Sequence, residues 1–390
     1  MRGHMLRWDS EKKRLTADTS KKSLNTVQFY RHLRICYATG MILQVILTNY
    51  NQSGGSLMSK TEIAFYLTAV IANDFHLNEC FKKASDIVLY VNGLIIFSEK
   101  YNQNKKWKSH SLLEKLDIGV AYSMYVTAAT FAFNFVVLQH WNEPCKSFFL
   151  GYQLLDECGI FKIIENVDTH VKYNITLGIK LSFLMFNYLV FNVGVQLAAF
   201  VIGGLQSLCT ITLCGHIATF KNIWIEGEIP RLDASLIHRE IQVMATIFNK
   251  IQQGSLMTVA IVQPVILLAL CSFTLLKTPW NGDTVGVLAQ FSLIVFDTAL
   301  VVMVTLGGMA KVHNASKEAI DAMKQNVNCM ANSSNNFVTM KGFKWQRKFV
   351  ESCSPIKVKF GTDNFVEDDT PLNCISQAFD LTVQLLLLGV

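Results

Sequence analysis

Seven stretches of this chain are too apolar and too long to lie on the surface of a soluble protein. They run over about residues 33–50, 62–98, 112–140, 176–204, 251–276, 285–310 and 370–390. Most reach the roughly 20 residues that an α-helix needs to cross a bilayer. Charged residues make up only 16% of the 390, against about 25% in soluble domains. The expected fold is all-α, a seven-transmembrane helix bundle. The second stretch exceeds one span and carries "NDFHLNECFKK" in its middle. It reads as one long helix whose inner part leaves the membrane, with two short segments as the alternative.

Lys and Arg set the orientation. With the N-terminus in the cytosol, the inner segments hold nine basic residues from Arg2 to Arg34, four from Lys100 to Lys108, four from Lys221 to Lys250 and nine from Lys311 to Lys359. The outer segments hold Lys60, then Lys146, Lys162 and Lys172, then Lys277. Seven spans then place the C-terminus outside. This is opposite to the topology of G-protein-coupled receptors, and their Asp-Arg-Tyr and Asn-Pro-x-x-Tyr motifs are absent. Residues 1–32 read as a cytosolic tail, not a cleavable leader. Residues 33–204 would hold helices one to four, 205–250 a cytosolic segment with an anchor helix, and 251–310 helices five and six. Residues 311–366 would form a second cytosolic anchor segment, and 367–390 the last helix. Asn51 and Asn174 begin glycosylation sequons that fall outside; Asn314 and Asn332 begin two that fall inside.

The chain carries no CxxC, HExxH or P-loop pattern, so no metal, cofactor, catalytic residue or nucleic-acid partner is expected. Most of the ten Cys read as small apolar packers. Cys145 and Cys158 share an outside loop, where oxidising conditions allow a disulfide. Asp297 lies in the sixth span within "LIVFDTALVVM"; it would be protonated, paired with a neighbouring helix or facing a cavity. Asp74 and His76 lie nearer a membrane flank, where a satisfied bundle histidine is the plainer reading. "KGFKWQRK", residues 341–348, fits inside-positive topology with Trp345 packing in an anchor, or contact with anionic lipid.

The last stretch has its own pattern. Asn373, Gln377, Asp380 and Gln384 recur every three or four residues, which is one face of a helix. Such a stripe must face water or protein. It either lines a wet passage, closed by Leu387 and Leu388 through dewetting, or is buried against helices of the same subunit. A helix ending at the outer surface needs only its terminal carboxylate in water.

Two segments resemble the insect chemoreceptors, the gustatory and odorant receptor superfamily. "SLIHREIQVMATIFNKIQQGSLM", residues 235–257, is similar to the family's cytosolic helix leading into the fifth span, with His238 near its start and Asn249 before the span. "RKFVESCSPIKVKFGTDNFVEDDTPLNCISQAFDLTVQLLLL", from Arg347, is similar to its C-terminal signature, with Gly361 and Phe365 in the Gly-x-x-x-Phe turn. "YVNGLIIFSEKY", residues 90–101, is a fainter echo. Where gustatory receptors end in Thr-Tyr and Gln-Phe, this chain has Leu381-Thr382 and Leu388-Gly389, with Asp380 and Gln384 standing in on the stripe.

The resemblance implies a chemosensory, ligand-gated cation channel in the plasma membrane of sensory neurons. It implies a homotetramer, or a heterotetramer with related subunits, joined by a cytosolic anchor and requiring no G protein. The last helix of each subunit would line one shared pore, with Gln377, Asp380, Leu381, Gln384, Leu385 and Leu388 at the pore and gate. A tastant or odorant would bind in the outer half of the bundle, among Phe65, Tyr66, Phe133, Phe186, Tyr188, Gln263, Gln290 and Phe291. A subunit needing a partner to conduct, and an unrelated seven-span transporter, are the alternatives; the paired broken helices of a transporter are not seen.

Overall fold

The computed structural model describes residues 6–51, 57–102, scattered residues between 178 and 188, and 200–388, apart from short breaks at 19, 227–230, 254, 281–284, 334–336 and 361–363. The described residues are helical except for two small hairpins. The first pairs β1 (Leu6–Asp9) with β2 (Arg14–Ala17), in register Leu6 to Ala17. Asp9 Oδ1 accepts the Glu11 and Lys12 amides, each at 3.1 Å, and Lys13 takes a left-handed φ of 50° to close the turn. α1 (Lys21–Asn51) follows, twelve residues earlier than the apolar run at 33 suggests. The N-terminal segment is therefore partly folded, because polar residues can extend a helix beyond its apolar part.

α2 (Leu57–Lys82) and α3 (Ala84–Asn102) replace the single helix read over 62–98. Lys83 is a turn between them, yet backbone bonds continue across it, Lys83 N to Glu79 O at 3.0 Å and Ile87 N to Lys83 O at 2.9 Å. A π-helical segment, Phe200–Leu208, leads into α4 (Cys209–Glu226). The segment 205–250 therefore carries two helices where one was expected. α4 is apolar enough to be taken for the tail of a span, and its burial comes from neighbours distant in sequence.

α5 (Arg231–Gln252) is the clearest amphipathic helix. It buries Ile237, Ile241, Met244, Ala245, Phe248 and Ile251 and exposes Leu236 and Val243, the stripe that a helix lying on a core needs. The helix ends at Gln252 and the next begins at Ser255, four residues later than the start expected at 251. α6 (Ser255–Lys277) and the first half of α7 (Val285–Ser333) are the described helices long and apolar enough to cross a membrane. Pro264 interrupts α6 without ending it; a kinked span is tolerated where neighbours and Ser/Thr hydroxyls meet the freed carbonyls. α7 continues far past residue 310, and α8 (Phe337–Ser352) returns against it. A second hairpin, β3 (Lys359–Phe360) with β4 (Asn364–Phe365), leads to α9 (Thr370–Leu387).

One buried core runs through α3, α4, α5, α6, the lower part of α7, α8 and the start of α9. Tyr90 and Phe248 are fully buried with ring centroids 5.1 Å apart. Phe220 stacks towards Trp224 and His238, and Phe349 lies between Trp224 at 5.9 Å and Trp345 at 5.6 Å. Trp345 remains 42% exposed. α2 meets this core on α6, and β2 lies on α3.

Candidate functional site

α9 begins at a tight turn. Thr370 Oγ1 accepts the Glu367 amide at 2.8 Å, and Pro371 sits in the first turn, where a missing N–H costs nothing. The helix packs on α6 and α7 through small residues, Pro371, Cys374, Ala378 and Thr382. Thr382 Oγ1 donates to Ala378 O at 2.8 Å and also lies 3.4 Å from Ala269 O on α6. That hydroxyl ties the middle of α9 to its neighbour.

The polar stripe points elsewhere. Asn373, Gln377, Asp380 and Gln384 are all exposed within the chain. Burial against the subunit's own helices, the alternative reading of the stripe, does not hold. At about 100° per residue the stripe lies roughly 135° from the buried face. A third sector is apolar and open, with Leu372, Phe379, Val383 and Leu387 between 51% and 81% exposed. Leu381 and Leu388 flank the stripe at 38% and 73% exposed, while Leu385 is half-buried. One helix thus carries a face for its own subunit, a face for water and a face for a further apolar surface.

The residues named for a ligand are dispersed. Phe133, Cys145 and Cys158 lie outside the described residues, as do the side chains of Phe65 and Tyr66. Phe186 is half-buried, its ring 5.9 Å from that of the fully buried Tyr37; Tyr188 is also half-buried. Phe291 is buried, Gln290 half-buried, and Gln263 buries its Oε1 with no partner among the described residues. Gln263 lies 14 residues before Lys277 and Gln290 five after Val285. At a 1.5 Å rise these are about 21 Å and about 8 Å from the helix ends. The two amides therefore sit at different heights in the paired helices α6 and α7. Asp297 is half-buried in α7.

Polar groups that sequence reading noticed only as motif letters prove to hold the assembly together. Asn249 donates Nδ2 to Lys357 O at 2.8 Å and accepts Lys359 N at 2.9 Å. Its amide clamps the backbone at β3, the segment that delivers α9. Asn92, in "YVNGLIIFSEKY", does the same for β2, with both bonds to Leu15 at 2.8 Å. Arg14 adds a two-pronged pair with Glu99, Nη1 to Oε1 at 3.0 Å, and Lys100 meets Glu240 at 2.8 Å. The Arg14 pair holds the Glu99 carboxyl below its ordinary range. His238 is buried beside Cys353, Nδ1 to Sγ 3.8 Å. Desolvation lowers its pKa to about 4 and raises that of the thiol to about 11. Only spacing to a later hairpin would have exposed the asparagine clamps in the sequence, and spacing does not show which strand an amide will meet.

Nearer the membrane, Arg31 approaches Asp74 at 4.0 Å, while His76 is fully buried. Cys80, Cys271 and Cys374 are buried packers as expected; Cys36 and Cys329 are exposed. Among the described residues no three His, Cys, Asp or Glu groups are placed to hold a metal. A cavity of about 320 Å³ lies between α7 and the start of α9, lined by His313, Asn314, Phe365 and residues 367–369.

No family model matches the sequence, and no curated protein matches it. Solved structures do. The insect olfactory receptor OR5 from Machilis hrabei in complex with eugenol superposes with a TM-score of 0.63 at 9% identity, over 99% of this chain and 94% of that one. The same receptor without that ligand in its description gives 0.61 at 10% identity, over 98% and 94%. At such identity the likeness concerns the backbone, over nearly the whole of this chain. The resemblance in residues 235–257 and 347–388 pointed to the same place: the chain has the fold of the insect olfactory receptors.

Proposed function

We propose that this protein is a chemosensory receptor that acts as a ligand-gated, non-selective cation channel. Its pore is built from α9 of four subunits, and the N-terminus is cytosolic. The observation that carries the reading is the exposed stripe on α9, in a chain that shares nearly its whole backbone with an olfactory receptor. A lone subunit leaves Gln377, Asp380 and Gln384 uncovered on an apolar helix. Four copies around one axis would give them water to face. Leu381 and Leu388, on the border of that stripe, with Leu385 behind them on the half-buried side, would close the passage by dewetting. Asp380 would favour cations, as acidic rings do in other pores.

The small-molecule site belongs in the outer half of the bundle, with Phe186, Tyr188, Gln290 and Phe291 as contacts. Gln263 would contact only a ligand that reaches deeper. Phe65, Tyr66 and Phe133 complete the proposed lining. Eugenol is the first probe to try, because the similar receptor is described in complex with it. The exposed apolar sector of α9 is open equally to an identical or a related subunit, so a heteromer with a conducting partner is the second reading.

Whole-cell recording on the chain expressed alone tests this, with eugenol and a wider odorant and tastant panel. Asp380→Asn and Gln384→Ala should alter permeability among Na⁺, K⁺ and Ca²⁺. Ligand-evoked current with unchanged permeability in both variants would remove the stripe from the pore. A stable monomer in purified protein would remove the channel.

A further inference from the structure

Three breaks in helical regularity and a glycine pair, far apart in sequence, fall in one layer. Lys83 is the turn between α2 and α3. α5 stops at Gln252 and α6 starts at Ser255. Phe200–Leu208 is π-helical, and α7 carries Gly307-Gly308. Side chains bond these breaks to one another. The Lys83 ammonium donates to the carbonyls of Ile251, at 2.9 Å, and of Gln253, closing the end of α5. Gln206, in the π segment, donates Nε2 to Gln252 Oε1 at 3.0 Å. Its neighbour Ser207 has Oγ 3.1 Å from Thr305 Oγ1, two residues before the glycine pair.

π-helical turns, chain breaks and glycine pairs are where helices bend. Below the layer the core is tightly packed and clamped by Asn249; above it lie α6 and the upper part of α7. The layer is thus the level at which the membrane half of the bundle meets its cytosolic half.

The glutamine pair is only half made. Two facing side-chain amides can exchange two hydrogen bonds. Here one forms, and Gln206 Oε1 and Gln252 Nε2 are buried with no partner among the described residues. Both side chains are 0% exposed, so neither atom turns to solvent, and each carries an unrecovered desolvation cost. A small slide of the α5–α6 junction along the π segment would close the second bond.

We propose that Gln206 and Gln252 are positioning residues for gating: the layer through Lys83, Gln206, Gln252 and Thr305 is the joint on which the membrane half tilts, and the second amide bond forms in the alternative gating state. The gating role rests on the channel reading above; the joint itself does not. The state described here holds one amide bond and the other state two, so removing the pair biases the receptor towards the state described. Packed elements of this kind have discrete arrangements rather than continuous ones.

Hydrogen exchange on the purified full-length receptor in lipid nanodiscs tests the joint without current. In Gln206→Leu/Gln252→Leu, which leaves no orphaned amide behind, exchange should change about tenfold together at peptides covering 79–87, 200–208 and 301–309, with 237–248 unchanged. A change confined to the substituted segments, or none, overturns the joint. Whole-cell recording with eugenol tests the gating role. Each single leucine variant should move the half-activating concentration by about fivefold, and the double no further. Three curves that superimpose on the wild type overturn that role. A silent wild type counts against the channel reading, and the exchange result then decides the joint by itself.

Discussion

Asn249 and Asn92 show how much one side chain can hold. Each offers a donor and an acceptor to a strand that has no other partner on that side, so each amide acts as one more rung of a hairpin. Asn249→Ala should cost about 2–3 kcal/mol, two net hydrogen bonds plus a strand left loose. A melting curve of the purified receptor measures it. An unchanged midpoint would mean that β3 is held by packing alone. Two buried imidazoles set a pH dependence in the packing of α4 and α5. Burial lowers the pKa of His216, against the Phe97 ring at 4.3 Å, and of His238 to about 4. Both are depressed below the unfolded value of about 6.5. The unfolded chain therefore binds more protons between pH 6.5 and 4, so stability is present above 6.5 and is lost as pH falls towards 4. The loss is on the order of 3 kcal/mol per ring. Unfolding followed by tryptophan fluorescence at pH 7 and 5 should show it, and His238→Phe, which keeps the ring packing, should flatten the profile. Equal stability of the wild type at both pH values would mean these rings are not buried neutral.

At the scale of one element, α9 and α7 each do two jobs along one length. The side of α9 facing α6 admits only small residues, so Ala378→Leu should overpack the contact and cost about 1–3 kcal/mol. The expected reading is a lowered melting midpoint with weaker tetramer recovery; Gln377→Leu, on the stripe, should leave the midpoint unmoved. If Ala378→Leu melts like the wild type, α9 is not seated on α6. In α7, a Cβ added at Gly307 or Gly308 meets no atom within 4 Å. Gly308→Ala should therefore fit, and should stiffen the helix by about 1 kcal/mol through propensity. The observable is slower exchange around residues 301–309. Faster exchange there would show that the glycine is needed for packing. α5 was legible as an amphipathic helix because its apolar residues keep a helical period. α4 was not, because a helix buried on most sides has no period to read.

At the scale of the whole molecule, the open sectors of α9 and the exposed Trp345 offer surface that the proposed assembly would cover. The expected outcome of mass photometry in nanodiscs is four copies; under the second reading four copies would form only with a related subunit co-expressed. The sequence by itself determined the all-helical membrane bundle, because bilayer thickness demands long apolar runs and the bundle has no cheaper way to bury backbone polar groups. It also determined which face of α9 is polar, since a period of 3.6 needs no tertiary information. The tertiary structure alone decided that this face stays uncovered within the subunit, because burial depends on which helices arrive beside it. It alone placed Gln263 and Gln290 at different heights, split the long second helix at Lys83, and joined Lys83, Gln206, Gln252 and Thr305 into one layer. Those residues lie tens to hundreds of positions apart. A hydrogen bond between them is a fact about where helices end and cross, which local spacing does not encode.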